Sequence, residues 1–510
     1  MNDKYLPGYR SVLGGAGVFL WALFGRWLLL GRTGVWMDEA FSLYYASQPL
    51  DWLLKNAAGL INHPPGYFLL LKAWLSWTGS NQVLLELSSI VLSLLAIGLF
   101  YFLARELFTP GWALWLTALF AIHPFLIYYS IELRMYTLGL IGVIGSLWLI
   151  LRLLDQSRLI SWLGLLFFSL LSFYSHSLTV LYLIPGITVL GWTCYRRSQL
   201  GPFGWYCLGI LVLYGPWFLQ VVGQATRISS DFWIPPFHLA DVVRLSLAWG
   251  GYTLPHDPGV LYGLGSTGVV VLFFVPLMFA YKARGSNGRF LSLLTVGLPL
   301  TVITAVSLYG QSVFLTRGFL FALPFVVILW GLGLRQLPGR LVRDFVVLFG
   351  VFLLLNTVRL HLHPPHRFLL KLSNNISSNY PAQTTLVHTS KRTFFPFKMV
   401  YGQNRNNKIL GDQIRPFFPG TWEQNLRNLR KQYVRSPVLF VVYRSQYPHW
   451  KQLVNQLRSE SRVVERTLRW DEKVFQLVYL PEGFPAQEDR LVRRWSLAKA
   501  PVVCPRPCLR

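Results

Sequence analysis

The sequence predicts a polytopic α-helical membrane protein of about 11 transmembrane helices, followed by a small α/β domain. Three observations carry the prediction. Of the 510 residues, 13% are charged, 53% hydrophobic and 16% aromatic, and mean hydropathy is +0.42, whereas soluble domains carry about 25% charged residues. Apolar runs of spanning or near-spanning length recur from residue 11 to residue 360. Beyond residue 361 they stop, and short β-branched and aromatic segments alternate with amphipathic ones.

The expected spans lie at 11–31, 83–104, 112–129, 135–151, 159–175, 178–194, 205–222, 260–281, 290–308, 317–334 and 343–360. A span needs about 20 apolar residues, so 159–175 and 178–194 are short. Arg105, Arg152 with Arg158, Arg196 with Arg197, Lys282 with Arg284 and Arg289, and Arg335 with Arg340 and Arg343 fall in loops on one side. The positive-inside rule makes that side cytoplasmic. The cell membrane (inner or plasma) is the expected location, with residues 32–82 and the C-terminal region outside.

Two long connections lie on the outer side. Residues 32–82 hold segments 37–48 and 66–77, whose aromatic and apolar faces suit short interfacial helices. Residues 223–259 carry Trp233-Ile234-Pro235-Pro236 and His256-Asp257-Pro258; connections this long are usually functional. Next, Leu386 to Thr389, Val438 to Val442 and Lys473 to Tyr479 read as strands, with amphipathic helices over 422–433 and 449–458. Three domains are expected: a transmembrane domain over 1–360, an extracytoplasmic α/β domain over 361–481 with a mixed or parallel sheet, and a basic, poorly ordered tail over 482–510.

The 47 Lys and Arg against 21 Asp and Glu leave a formal charge of +26. Many of these cations sit in short loops between apolar runs, which is a topology signal and not a nucleic-acid surface. The others suit acidic headgroups or an anionic polymer. Four cysteines are too few for a disulfide framework: Cys194 and Cys207 flank a basic loop, and Cys504-x3-Cys508 is a weak metal signal.

The residues able to carry chemistry lie on the outer side. Asp38 and Glu39 closely follow the first apolar run, where adjacent carboxylates are costly and need a reason. The competing reading is a solvated topological anchor. His63-Pro64-Pro65 breaks any helix and sets a stiff extended turn; His63 is suited to a sugar hydroxyl or a phosphate, or simply to capping that turn. Glu132-Leu133-Arg134-Met135-Tyr136 falls at the outer end of the third and fourth spans. Arg134 suits a phosphate through its fork of donors, with a snorkelling cation and its counter-ion as the alternative. His176 and Arg317 fall on the same face.

Absences discriminate as well. No G-x-x-x-x-G-K-[ST] loop supports ATP-driven transport. No Asp-x-Asp supports a metal-held nucleotide sugar, and no Gly-x-Ser-x-Gly elbow supports a lipase-like site. No cofactor is required by these residues. The one candidate for a divalent metal is His361-x-His363-x-x-His366, but two prolines inside it keep a single helix from presenting all three, and a basic interfacial hinge is the simpler reading.

Taken as a set, Trp36-x-Asp38-Glu39, His63-Pro64-Pro65-x-Tyr67 and Tyr129-Ser130-x-Glu132-x-Arg134-x-Tyr136 resemble the dolichyl-phosphate-mannose–protein mannosyltransferase family of membrane glycosyltransferases. Relatives of that family include the bacterial aminoarabinose transferases that modify lipid A. The resemblance is good over residues 15–200 and looser to residue 335; the C-terminal domain has no matching motif. It implies a GT-C fold with an extracytoplasmic site. The implied reaction moves a sugar from a polyprenyl-phosphate carrier to a hydroxyl of a protein, lipid or glycan acceptor. Asp38 would be the general base, assisted by Glu39, and Arg134 with Arg317 would hold the donor phosphate. His63, Glu132, Tyr136 and His176 would line the substrate. The competing classes are a polyprenyl-linked lipid or sugar flippase and a non-catalytic envelope assembly protein. A transporter should place polar groups near the bilayer midplane in broken helices, whereas these cluster at one face.

Overall fold

A computed structural model of the protein describes residues 9–56, 63–228, 234–252, 277–280, 287–410, 437–444, 450–460, 464–470 and 473–480. Its helices in the first part are α1 (Tyr9–Trp27), α2 (Met37–Ser47), α3 (Leu50–Asn56), α4 (Gly66–Thr78), α5 (Gln82–Leu107), α6 (Pro110–Ile122), α7 (Pro124–Tyr129), α8 (Tyr136–Asp155), α9 (Leu159–Ser175), α10 (Thr179–Arg196), α11 (Leu200–Ile228) and α12 (Leu239–Trp249). Then come α13 (Asn287–Tyr309), a 3-10 turn (Thr316–Ala322), α14 (Leu323–Leu334), α15 (Gly339–Leu362) and α16 (Arg367–Asn379). Helix thus occupies ten of the eleven expected span positions. Among the described residues, six helical stretches are long and apolar enough to cross a membrane. The expected span at 260–281 lies, apart from residues 277–280, outside the described residues. So do Trp233, His256-Asp257-Pro258, the helix at 422–433, the tail from 482, and Cys504 and Cys508.

Two of the expected spans are not single α-helices. The run at 112–129 breaks at His123, because Pro124 has no N–H to donate and disfavours helical backbone in the residue before it. His123 is extended (φ −65°, ψ 121°), and its Nδ1 accepts from the Phe125 N–H at 3.3 Å to start α7. The run at 317–334 opens as the 3-10 turn and becomes α-helical with Pro324 in the first turn of α14. Residues 131–135, between α7 and α8, are not helical at all.

By contact the described chain forms two compact units, and they do not follow sequence order. Residues up to Thr33 with Ser42–Pro365 form the first, and Gly34–Phe41 with the residues from His366 form the second. In the first unit, α8 is buried along almost its whole length. Small residues allow this: a Cβ at Gly142 would lie 2.5 Å from the Ser172 backbone nitrogen of α9, and one at Gly145 would lie 2.5 Å from the Phe168 ring. Packing of this kind substitutes for a hydrophobic driving force between helices in lipid.

The second unit is built on a five-stranded sheet ordered β2-β1-β3-β5-β4. The strands are β1 (Thr385–His388), β2 (Asn407–Ile409), β3 (Val438–Tyr443), β4 (Val464–Trp470) and β5 (Lys473–Leu480). β1 runs parallel to β2 and β3, while β5 runs antiparallel to β3 and β4. The short helix α17 (Lys391–Pro396) and a π turn (Phe397–Tyr401) connect β1 towards β2, and α18 (Trp450–Glu460) follows β3. The unbroken apolar run of β3 serves two cores. Leu439, Val441 and Tyr443 pack with Leu372 and Ile376 of α16, and Val438, Phe440 and Val442 pack with Leu453 and Leu457 of α18. Period-two alternation is hidden when both faces are covered.

Candidate active site

In the first unit, the residues suspected from sequence meet where several helices end. The Pro64-Pro65 turn delivers His63 to the start of α4, and Gly66 lets that start abut the end of α9: a Cβ there would sit 2.6 Å from the Tyr174 carbonyl oxygen. His176 caps the C-terminal end of α9 in extended conformation. Arg134 sits in the non-helical link before α8, whose first residue is Tyr136, and Arg317 opens the 3-10 turn.

The geometry is close. Arg134 is buried, and its Nη1 donates to the Ser42 hydroxyl of α2 at 3.1 Å while Nη2 stands 3.4 Å from His63 Nε2. A guanidinium only donates, so His63 Nε2 carries the lone pair and its proton is on Nδ1. His63 and His176 rings lie 5.6 Å apart, and His176 also contacts Tyr136 at 5.9 Å and Phe321 at 5.5 Å. His176 Nδ1 accepts from the Leu178 N–H at 3.2 Å, which leaves its proton on Nε2. The link itself is pinned by the Ser89 hydroxyl, which donates to the Glu132 carbonyl oxygen at 2.6 Å.

Burial holds His63 well below the usual imidazole range, reinforced by the charges of Arg134, His176 and Arg317. Burial likewise takes His176 down to about 3, with Arg134 and Arg317 contributing. Both imidazoles are therefore neutral at physiological pH. The arrangement is a cationic site floored by two arginines and lined by neutral hydrogen-bonding rings. Glu132 is buried beside it.

The acidic pair belongs to the second unit. Asp38 and Glu39 form the first turn of α2, where the positive end of the helix dipole favours carboxylates. Glu39 is buried and accepts the Trp36 N–H at 3.0 Å, so it serves as a cap for the helix start. Asp38 is partly exposed and lies within electrostatic reach of Lys391.

Two contributors escaped the sequence reading. Ser42 follows Asp38 by four residues, one turn of α2, and that spacing was a usable signal. Lys391 was invisible, because it follows Asp38 by more than 350 residues and stands among many other basic residues. The histidines at 361–366 do not assemble as a metal site, and among the described residues no three of His, Cys, Asp and Glu do so. His361 nitrogens lie 2.6 Å from the Thr357 and Gly25 carbonyl oxygens. The His366 ring lies flat on Trp36, 4.8 Å away at 9°.

The fold is shared with ArnT from Cupriavidus metallidurans. The structure of that protein bound to undecaprenyl phosphate matches with a TM-score of 0.59 at 14% identity, covering 93% of this chain and 98% of that one. Its apo state matches with a TM-score of 0.55 at 15% identity, covering 92% and 97%. At these identities the likeness is one of fold. Residues 62–218 match the sequence profile of the dolichyl-phosphate-mannose-protein mannosyltransferase family. No curated protein matches the chain by sequence. The match over residues 62–218 covers about a third of the chain and is a likeness in sequence to that family.

Proposed function

We propose that the protein transfers a sugar from a polyprenyl-phosphate carrier to a hydroxyl of an extracytoplasmic protein, lipid or glycan, with Asp38 as general base. The observation that carries this reading is the buried Arg134, held by Ser42 and flanked by neutral His63. A polyprenyl-phosphate sugar is a diester with one negative charge, and breaking its sugar–oxygen bond gives a monoester carrying nearly two. Cations held at that oxygen therefore bind the transition state more tightly than the substrate. Arg134 and Arg317 supply such cations, and keeping His63 and His176 neutral lets them orient hydroxyls without altering the charge balance.

In the proposed step the acceptor oxygen attacks the anomeric carbon and its proton passes to Asp38. The carbon–phosphate oxygen bond breaks with its electron pair leaving on the phosphate, so configuration inverts. The choice of Asp38 over Glu39 is supported by exposure, since Glu39 is buried in its cap. The undecaprenyl phosphate bound by the ArnT neighbour is consistent with a lipid-linked donor. In this reading residues 1–360 are the membrane domain, 361–481 an extracytoplasmic domain and 482–510 a basic tail.

The test compares donors in proteoliposomes: polyprenyl-phosphate mannose against a nucleotide sugar, with membrane extract as acceptor. Transfer from the lipid donor alone is expected. Transfer from the nucleotide sugar without lipid would overturn the reading.

A further inference from the structure

We propose that the C-terminal α/β unit holds the catalytic carboxylate in place, with Tyr401 and His366 as positioning residues for the segment that carries Asp38. The inference rests on the reading of Asp38 as the base.

Segment 34–41 clusters with residues from His366 onward, although more than 300 residues separate them in sequence. Four contacts fasten it. The Val35 N–H donates to the Tyr401 hydroxyl at 2.6 Å. Trp36 stacks flat on His366 with ring centroids 4.8 Å apart. The Phe41 and Phe395 rings approach to 4.3 Å. Gly34 runs so close to His366 that a Cβ there would lie 1.9 Å from the His366 carbonyl oxygen.

His366 itself is one of two described non-glycine residues with positive φ, at 53°. A left-handed histidine costs conformational energy, and such residues persist where surrounding contacts over-determine them. Here the unusual backbone aims its carbonyl at Gly34 while its ring meets Trp36. Asp38 follows Trp36 by two residues.

The position in the sheet agrees. β1 has β2 on one side and β3 on the other, so the C-terminal end of β1 is a topological switch point, where open α/β sheets place ligands. Lys391 and Phe395 both lie in the connection that leaves that end. Lys391 is attracted to Asp38, which partly opposes the lowering of its own pKa by burial and by Arg392. The unit thus fastens the segment on both sides of Asp38, at Val35 and Trp36 before it and at Phe41 after it. A base misplaced by about 1 Å can cost about 10²-fold in rate, so these contacts matter to turnover and not only to folding.

The experiment uses the full chain in lipid nanodiscs, with polyprenyl-phosphate mannose as donor probe and release of polyprenyl phosphate as readout. Hydrogen exchange of segment 34–41 is followed in parallel. Tyr401→Phe should accelerate exchange at the Val35 amide and lower kcat about tenfold or more with donor KM unchanged. His366→Ala should do the same, and His366→Phe, which restores a ring against Trp36 under the same backbone strain, should recover much of the loss. Asp38→Asn is the reference. If it is inactive while Tyr401→Phe and His366→Ala keep full kcat and a protected segment, the positioning role is overturned and the base assignment stands. If Asp38→Asn is itself fully active, both fall.

Discussion

Arg134 and Ser42, 92 residues apart in sequence, are joined by a 3.1 Å hydrogen bond from guanidinium Nη1 to a fully buried hydroxyl. The bond ties the link before α8 to α2, the helix whose first turn carries Asp38. It fixes one arm of the fork, and the other arm stands against His63.

Arg134→Lys should therefore be a severe substitution. Lysine keeps the charge but has one nitrogen, which cannot serve Ser42 and a phosphate oxygen in the planar geometry of the fork. Loss of one preorganised donor typically costs about 10²-fold in kcat. Single-turnover assays with the lipid donor should show that loss; a decrease below threefold would remove Arg134 from the phosphate site.

Asp38→Asn should abolish transfer and leave insertion and folding intact, because the side chain is partly exposed and nearly isosteric. Positioned proton transfer contributes about 10²–10⁴-fold. Glu39→Gln should do less to kcat and more to stability, since it weakens the cap on the Trp36 N–H. Turnover and detergent-solubilised melting temperature measured together separate the two effects.

The second unit should lose stability in acid through His388. This buried side chain bonds the Thr393 hydroxyl and Asn407 Oδ1, each at 3.1 Å, and burial lowers it to about 4, partly offset by the bond to Asn407. The unfolded chain has the ordinary value of about 6.5 and so binds more protons between the two. The stabilisation is complete above pH ~6.5 and fades as pH falls towards ~4. The melting transition should drop between pH ~7.5 and ~5, and His388→Gln should flatten that dependence. An unchanged slope in the variant would place the acid sensitivity elsewhere.

Topology is open to a direct test. In a background with Cys194, Cys207, Cys504 and Cys508 replaced, single cysteines at Ser47, Ser230 and Gly420 should react with a membrane-impermeant reagent in intact cells. Labelling at 47 with protection at 420 would place an odd number of spans between the two, and the count around 159–194 would be the first to revise.

The sequence by itself determined the chain's class. Apolar runs, their charged loops and the change of composition after residue 361 report the solvent each segment meets, and that solvent selects helix in lipid before any contact is made. Candidate residues stood out too: a paired carboxylate close to a span and an arginine between two spans are each costly in apolar surroundings without a purpose. The breaks inside 112–129 and 317–334 also had local signals, in Pro124 and Pro324, which the length of the apolar runs outweighed. Strands β2 and β4 were not legible: β2 has three residues and β4 mixes acidic, basic, polar and apolar side chains without a clean alternation, so neither announces itself without its neighbours.

Tertiary structure alone decided which residues meet. Ser42 against Arg134, His63 beside His176 and Trp36 flat on His366 are juxtapositions of segments tens to hundreds of residues apart. Closing so long a loop leaves no periodicity for a local reading to detect. The membership of Gly34–Phe41 in the C-terminal unit is the clearest case. Nothing in those eight residues names their partners, because the specificity resides in the shape of His366 and in the single hydroxyl of Tyr401, which the fold brings within 2.6 Å of one backbone amide.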